Sequence, residues 1–133
     1  MIVCFDSNVL VSAIATRGIC ADIVSVVLAE HRLVVGATVL AELRQVLTRK
    51  LGLPPALVKE ADRFLRMHAT VVKNPGAPAF QELDAADGAV LAEAIAGKAD
   101  VLVTGDRDLL QLSMKLPIKV LSPRGFWELL RSG

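Results

Sequence analysis

Short apolar runs separated by segments of helical period constrain this chain most. Ile2-Val3-Cys4-Phe5, Leu33-Val34-Val35, Val71-Val72 and residues 100–103 read as strands, with a last strand at 118–121. The runs are continuous rather than alternating, so both faces of each strand must be covered. That is the pattern of a parallel sheet packed between helices. The segments between them are read as helices over about 20–30, 38–50, 55–68, 84–97 and 107–115, with short helical character around Val9-Leu10-Val11. Ser122-Pro123 starts a terminal helix carrying Phe126, Trp127 and Leu130. Thr38 is read as the cap of the third helix, and Gly52 and Pro54-Pro55 end it. Asn74-Pro75-Gly76-Ala77-Pro78 is read as a loop. The expected fold is therefore an α/β one: a three-layer α/β/α sandwich around a twisted parallel sheet of four to five strands, built as one domain over residues 1–133.

Composition agrees with a packed core. Hydrophobic residues make up 53% of the chain and charged ones 22%, which excludes the disordered class. No apolar run reaches the roughly 18 residues of a membrane span, and Met1 leads straight into a strand with no signal-like segment. The expected location is cytoplasmic. Cys4 and Cys20 are the only cysteines; with His31 and His68 isolated in sequence, they match no zinc spacing. Cys4 reads as a small buried hydrophobe.

In open α/β sheets, ligands sit outside the carboxyl ends of the strands. Asp6 follows the first strand and Asp106 follows the strand at 100–103, so both belong to that edge. Asp87 lies on the centre line of the stripe formed by Val90, Leu91, Ala94 and Ile95, at about 100° per residue. A carboxylate aimed at a packed face must be capped, paired or metal-bound. Asp84 and Asp87 also fit a capping box, and both roles are compatible. On the same wheel Glu93 points toward water. Glu42 flanks the stripe of Val39, Leu40, Leu43, Val46 and Leu47, where an ordinary boundary glutamate would also sit. Within Asp6-Ser7-Asn8, capping needs one residue only, leaving Asn8 to cap or to hold a ligand carboxylate. Of Asp106 and Asp108, one is expected to cap the helix at Leu109-Leu110; Asp106 is the ligand candidate and Asp108 the cap or an outer support. Carboxylates with no histidine or cysteine nearby point to Mg²⁺ or Mn²⁺.

The charge distribution suits a polyanion. Between Arg44 and Lys73 there are seven basic residues (Arg44, Arg49, Lys50, Lys59, Arg63, Arg66, Lys73) and two acids, Glu60 and Asp62. Setting four site carboxylates aside leaves ten acids against fifteen Lys and Arg, a mildly basic body around an acidic pocket.

Four blocks carry a resemblance that spans nearly the whole chain. They are Phe5-Asp6-Ser7-Asn8-Val9-Leu10-Val11-Ser12-Ala13, then Val39-Leu40-Ala41-Glu42-Leu43, then Asp84-x-x-Asp87 ahead of Leu91-Ala92-x-Ala94, and last Ala99-Asp100-x-Leu102-Val103-Thr104-Gly105-Asp106-x-Asp108-Leu109-Leu110. In this order they resemble the PIN domain family, specifically the VapC-like toxin components of bacterial and archaeal toxin–antitoxin pairs. The resemblance implies that Asp6, Glu42, Asp87 and Asp106 form an acidic quartet around one or two Mg²⁺ or Mn²⁺ ions. Asn8 and Thr104 correspond to its supporting polar positions. It further implies cleavage of RNA by a metal-activated water, a homodimer and a cognate antitoxin protein. Arg107, next to the site in sequence, is a candidate substrate contact. Two positions depart from the pattern: Gly88 stands where relatives often carry an acid, and Ser7 replaces a more frequent threonine while keeping the hydroxyl.

Rival readings fit less well. A receiver domain needs an acid after a middle strand, but Leu51-Gly52-Leu53-Pro54-Pro55 has none. A haloacid-dehalogenase-like phosphatase wants Asp-x-Asp after the first strand, where position 8 is Asn. Two further alternatives are an RNA-processing nuclease outside a toxin–antitoxin pair and a catalytically weak RNA- or protein-binding module.

Overall fold

In a computed structural model of the chain, which describes residues 1–73 and 83–132, the first apolar run forms strand β1 (Ile2–Phe5). Helices α1 (Ser7–Ala15) and α2 (Ile19–Glu30) lead to β2 (Arg32–Gly36). Next come α3 (Ala37–Gln45), one π-helical segment over Val46–Lys50, α4 (Pro55–His68) and β3 (Ala69–Val72). The second half holds α5 (Ala85–Ala96), β4 (Val101–Val103), α6 (Arg107–Gln111), a 3-10 turn at Ser113–Lys115, β5 (Lys119–Leu121) and α7 (Pro123–Ser132). The expected loop at Asn74–Pro78 lies outside the described residues.

The five strands form one sheet in the order β3-β2-β1-β4-β5, with every pairing parallel. Burial follows position in the sheet. In the central strands Val3, Cys4, Phe5, Val35, Val101, Leu102 and Val103 are at most 1% exposed, as strands covered on both faces must be. The edge strand β3 is only half-buried. Helix α2 packs on β2 and α7, while α5 packs on β2 and α3. Phe5 and Phe126 meet edge to face at 6.2 Å between ring centroids, joining the sheet to α7. This is the expected three-layer α/β/α architecture.

Local boundaries differ from the sequence reading at three places. Helix α3 starts at Ala37, one residue before the expected cap, so Thr38 sits inside the first turn and Gly36 is the N-cap with no side chain to offer. Its expected extension to Lys50 is wound as a π-helical segment, closed by the Leu51 N–H donating to the Val46 carbonyl at 3.1 Å. The helix expected over 107–115 is two pieces, α6 and the 3-10 turn. Cys4 and Cys20 are both free thiols. No single helix among the described residues is long and apolar enough to cross a membrane.

The topology decides where chemistry can occur. From β1 the chain steps outward to β2 and β3, then returns to place β4 on the other side of β1. The carboxyl ends of β1 and β4 therefore flank the point where strand order reverses, where open sheets leave a crevice.

Candidate active site

Asp6 ends β1 and is the N-cap of α1. It is buried, at 6% exposure, and its carboxylate is held by two donors. The Ser7 N–H donates to Oδ1 at 2.7 Å, and the Thr104 hydroxyl donates to Oδ2 at 2.7 Å. Thr104 is fully buried at the end of β4, and its oxygen accepts from the Asp106 N–H at 3.0 Å. One hydroxyl thus fixes the Asp6 side chain and the turn that presents Asp106. The backbone reinforces this, because the Asp6 N–H donates to the Val103 carbonyl at 2.9 Å.

Asp106 is the N-cap of α6 and accepts from the N–H groups of Asp108, at 2.8 Å, and Leu109, at 3.2 Å, through Oδ1. The cap expected of Asp108 thus belongs to Asp106, since α6 begins at Arg107 and Asp106 is the residue just ahead of its first turn. Asp108 is instead free to face its neighbours. Asp87, on the first turn of α5, completes the group: Asp87, Asp106 and Asp108 each place one carboxylate oxygen within 4.8 Å of the others. The capping box is half present, with Asp84 accepting from the Asp87 N–H at 2.8 Å.

Glu42 reaches the site from α3. The Ser7 hydroxyl donates to Glu42 Oε2 at 2.8 Å and lies 3.5 Å from Asp6 Oδ1. With a single proton, it serves Glu42 at the shorter distance and acts as a spacer between the two carboxylates. Asp6 and Glu42 stand outside the tight group of three, so the structure gives a cluster of Asp87, Asp106 and Asp108 with Asp6 and Glu42 behind it. Asn8 and Arg107 are exposed, at the starts of α1 and α6.

The electrostatics of this edge are unbalanced. Among the described residues the only ion pair is Arg66 with Asp62, on α4. Burial, and then the charges of Asp106, Asp84, Asp6 and Asp108, push the Asp87 carboxyl up from 3.8 to about 6. A carboxyl pushed up by the negative charges gathered around it marks a place where a cation would be attracted. An all-oxygen donor set with no nitrogen or sulfur fits a hard divalent ion such as Mg²⁺ or Mn²⁺.

Glu93 overturns the helical-wheel reading. It is 1% exposed, because α5 lies between β2 and α3 and the side assigned to water abuts the start of α3. Its carboxylate accepts from the Thr38 N–H, at 3.0 Å to Oε1 and 3.3 Å to Oε2, and from the Thr38 hydroxyl at 3.1 Å. Burial raises its proton affinity, as does the charge of Glu42, while the bonds from Thr38 act the other way. Cys4 lies close by, and burial, with the charges of Asp6 and Glu93, lifts its thiol to about 12; it is an inert part of the core. Ser7 and Glu93 are the two site-forming residues whose roles the sequence reading missed. The need for Glu93 shows only once the helix start is fixed at Ala37, because Gly36 then caps without a side chain and the Thr38 N–H takes its acceptor from another element.

Solved structures with the same fold include VapBC2 from Rickettsia felis bound to a DNA fragment from its promoter. Its matched chain aligns at TM-score 0.65 and 15% identity, over 92% of this chain and 98% of that one. VapBC-1 from nontypeable Haemophilus influenzae aligns at 0.65 and 20%, over 93% and 99%. FitAcB from Neisseria gonorrhoeae aligns at 0.58 and 19%, again over 93% and 99%. At these identities the likeness is one of fold. None of the curated proteins matches the chain. The model of the PIN domain, in contrast, matches residues 2–108, a span that takes in all four strand-end and helix-borne acids. Since that span covers most of the sequence and the sheet order above is its framework, this chain belongs to the PIN domain family.

Proposed function

We propose that the protein is a Mg²⁺- or Mn²⁺-dependent endoribonuclease and the toxin of a toxin–antitoxin pair. The observation that carries the reading is the convergence of Asp87, Asp106 and Asp108 within 4.8 Å at the carboxyl edge of the sheet, with Asp6 and Glu42 linked behind them through Ser7. Family membership supports the nuclease class. The likeness to VapBC and FitAcB structures supports the toxin role and a protein antitoxin.

Asp87 and Asp106, with Asp108 in the same close group, would hold the ion, and Asp6 and Glu42, tied together through Ser7, would complete the acidic quartet around it. When bound, such an ion supplies a water of lowered pKa and offsets charge on phosphoryl oxygens. The chain's own residues do the rest. Thr104 orients Asp6 by donating to it. Asp106 is fixed by its cap bonds through Oδ1, which leaves Oδ2 outside the cap. Asp87, with its pKa raised to about 6, would be the ligand for which protons compete as pH falls through that value. Arg107 and Asn8, both exposed, are taken in this reading as contacts for the phosphate backbone of the substrate, and the basic stretch from Arg44 to Lys73 favours a polyanion.

A groove of about 210 Å³ between α1, α2 and α4 is lined by Leu10, Ala13, Ile14, Val24, Ala61 and Phe64. Ile14 and Phe64 are 45% and 48% exposed, apolar surface of the kind an amphipathic antitoxin segment covers. A homodimer is also proposed, to be checked by light scattering. The decisive assay is cleavage of a labelled RNA with Mg²⁺, Mn²⁺ or EDTA by wild type, Asp6→Asn and Asp87→Asn. Cleavage that needs the ion and is lost in both variants is expected. Equal activity in all three proteins refutes the enzyme reading.

A further inference from the structure

Glu93 is a buried carboxylate that the proposed chemistry does not use. It sits six residues after Asp87 on α5, about 120° around the helix, so the two acids serve different neighbours. Asp87 joins Asp106 and Asp108; Glu93 crosses to the start of α3. That start needs it. Gly36 caps α3 without a side chain, leaving first-turn N–H groups without a local acceptor, and Glu93 supplies one from another element. The approach is close enough that a Cβ at Gly36 would overlap Glu93 Oε1 and come within 2.9 Å of its Cβ. Glycine there is what lets the carboxylate reach the helix.

Thr38 and Glu42 are four residues apart on α3, one above the other on the same face. Fixing Thr38 therefore fixes the rotation of the face that carries Glu42, whose other tie is the Ser7 hydroxyl at 2.8 Å. We infer that Glu93 is a positioning residue: by clamping Thr38 it sets the rotation of α3 against α5, so that Glu42 meets the Ser7 hydroxyl beside Asp6. The inference rests on the metal-site reading above and adds to it the device that holds Glu42 in place. Partners of this sort, which touch a ligand only through another group, typically change metal affinity 10- to 100-fold when removed.

The test is Mn²⁺ binding by calorimetry, with folding checked by circular dichroism. Glu93→Ala removes the clamp and is expected to weaken Mn²⁺ about tenfold. Glu93→Gln keeps the shape, its Oε1 accepting from the Thr38 N–H and its amide donating to the Thr38 hydroxyl, so it is expected to bind within about twofold of wild type. In a Glu42→Gln background Glu93→Ala is expected to cost nothing further. Should Glu93→Ala fail to fold, Thr38→Ala removes only the hydroxyl half of the clamp and is expected to weaken Mn²⁺ in the same direction. Unchanged binding in Glu93→Ala, no recovery in Glu93→Gln, or an equal loss in the Glu42→Gln background would each overturn the inference. Absence of Mn²⁺ uptake by wild type itself would overturn the metal-site reading, and this inference with it.

Discussion

Replacing Asp87 by Asn should make the metal-free protein more stable while abolishing its activity. In the fold the Asp87 carboxyl titrates near 6, raised from 3.8 by burial and by Asp106, Asp84, Asp6 and Asp108. The native state therefore holds a proton that the unfolded chain has already released, and stability falls as pH rises through that window. The penalty is absent below about pH 4, grows as Asp87 ionises, and is complete above about pH 6. Its ceiling is about 3 kcal/mol. Because the carboxylate is part-exposed, solvent screening removes roughly half. Asn also gives up the favourable charge at the helix start, about 0.5 kcal/mol. The net gain for Asp87→Asn at pH 7.5 is then about 1 kcal/mol, a rise in Tm of about 4 °C. Thermal melts in EDTA at pH 4.5, 5.5, 6.5 and 7.5 measure it. The gap should open across the middle of that range and stay constant above it. Adding Mn²⁺ should reverse the order, since an ion at 100 times its Kd stabilises wild type by about 2.7 kcal/mol. A variant less stable than wild type in EDTA at pH 7.5, or a gap that ignores pH, would refute the reasoning.

Three further expectations concern the same edge and its support. Thr104→Val should cost about 1.5–3 kcal/mol in urea unfolding, the value of a hydrogen bond to a charged group, because Asp6 loses the donor at 2.7 Å; a cost below 0.5 kcal/mol contradicts the arrangement. Mn²⁺ affinity should fall as pH drops below about 6, where protons compete for Asp87, and a calorimetric titration at pH 5 and pH 7.5 checks it. Phe126→Ala should destabilise the protein by about 3–5 kcal/mol, because the ring is fully buried against Phe5; equilibrium unfolding reads the effect.

Much of the framework was legible because parallel strands leave a plain trace. Runs such as Ile2–Phe5 and Val101–Val103 have no polar alternation, and the reason is visible in their burial. Asp87 was legible for a related reason: a carboxylate on an apolar stripe has few explanations. Glu93 was not, since a helical wheel assumes one packed side, and α5 is flanked by both β2 and α3. Its buried arc is wider than the stripe of Val90, Leu91, Ala94 and Ile95. The roles of Asp106 and Asp108 were ambiguous because nearby residues compete for one cap, and only the start of α6 at Arg107 decides between them. Ser7 was read only as a departure from a more frequent threonine that keeps the hydroxyl, because its link to Glu42 spans 35 residues and no local spacing reveals it.

Anomalous diffraction from a crystal soaked in Mn²⁺ tests the central claim most directly. The account predicts a peak among the carboxylates of Asp87, Asp106 and Asp108, about 2 Å from carboxylate oxygens, on the side of the site where Asp6 and Glu42 lie. Such a crystal with no peak at that edge, or with Mn²⁺ bound only elsewhere on the surface, would contradict it.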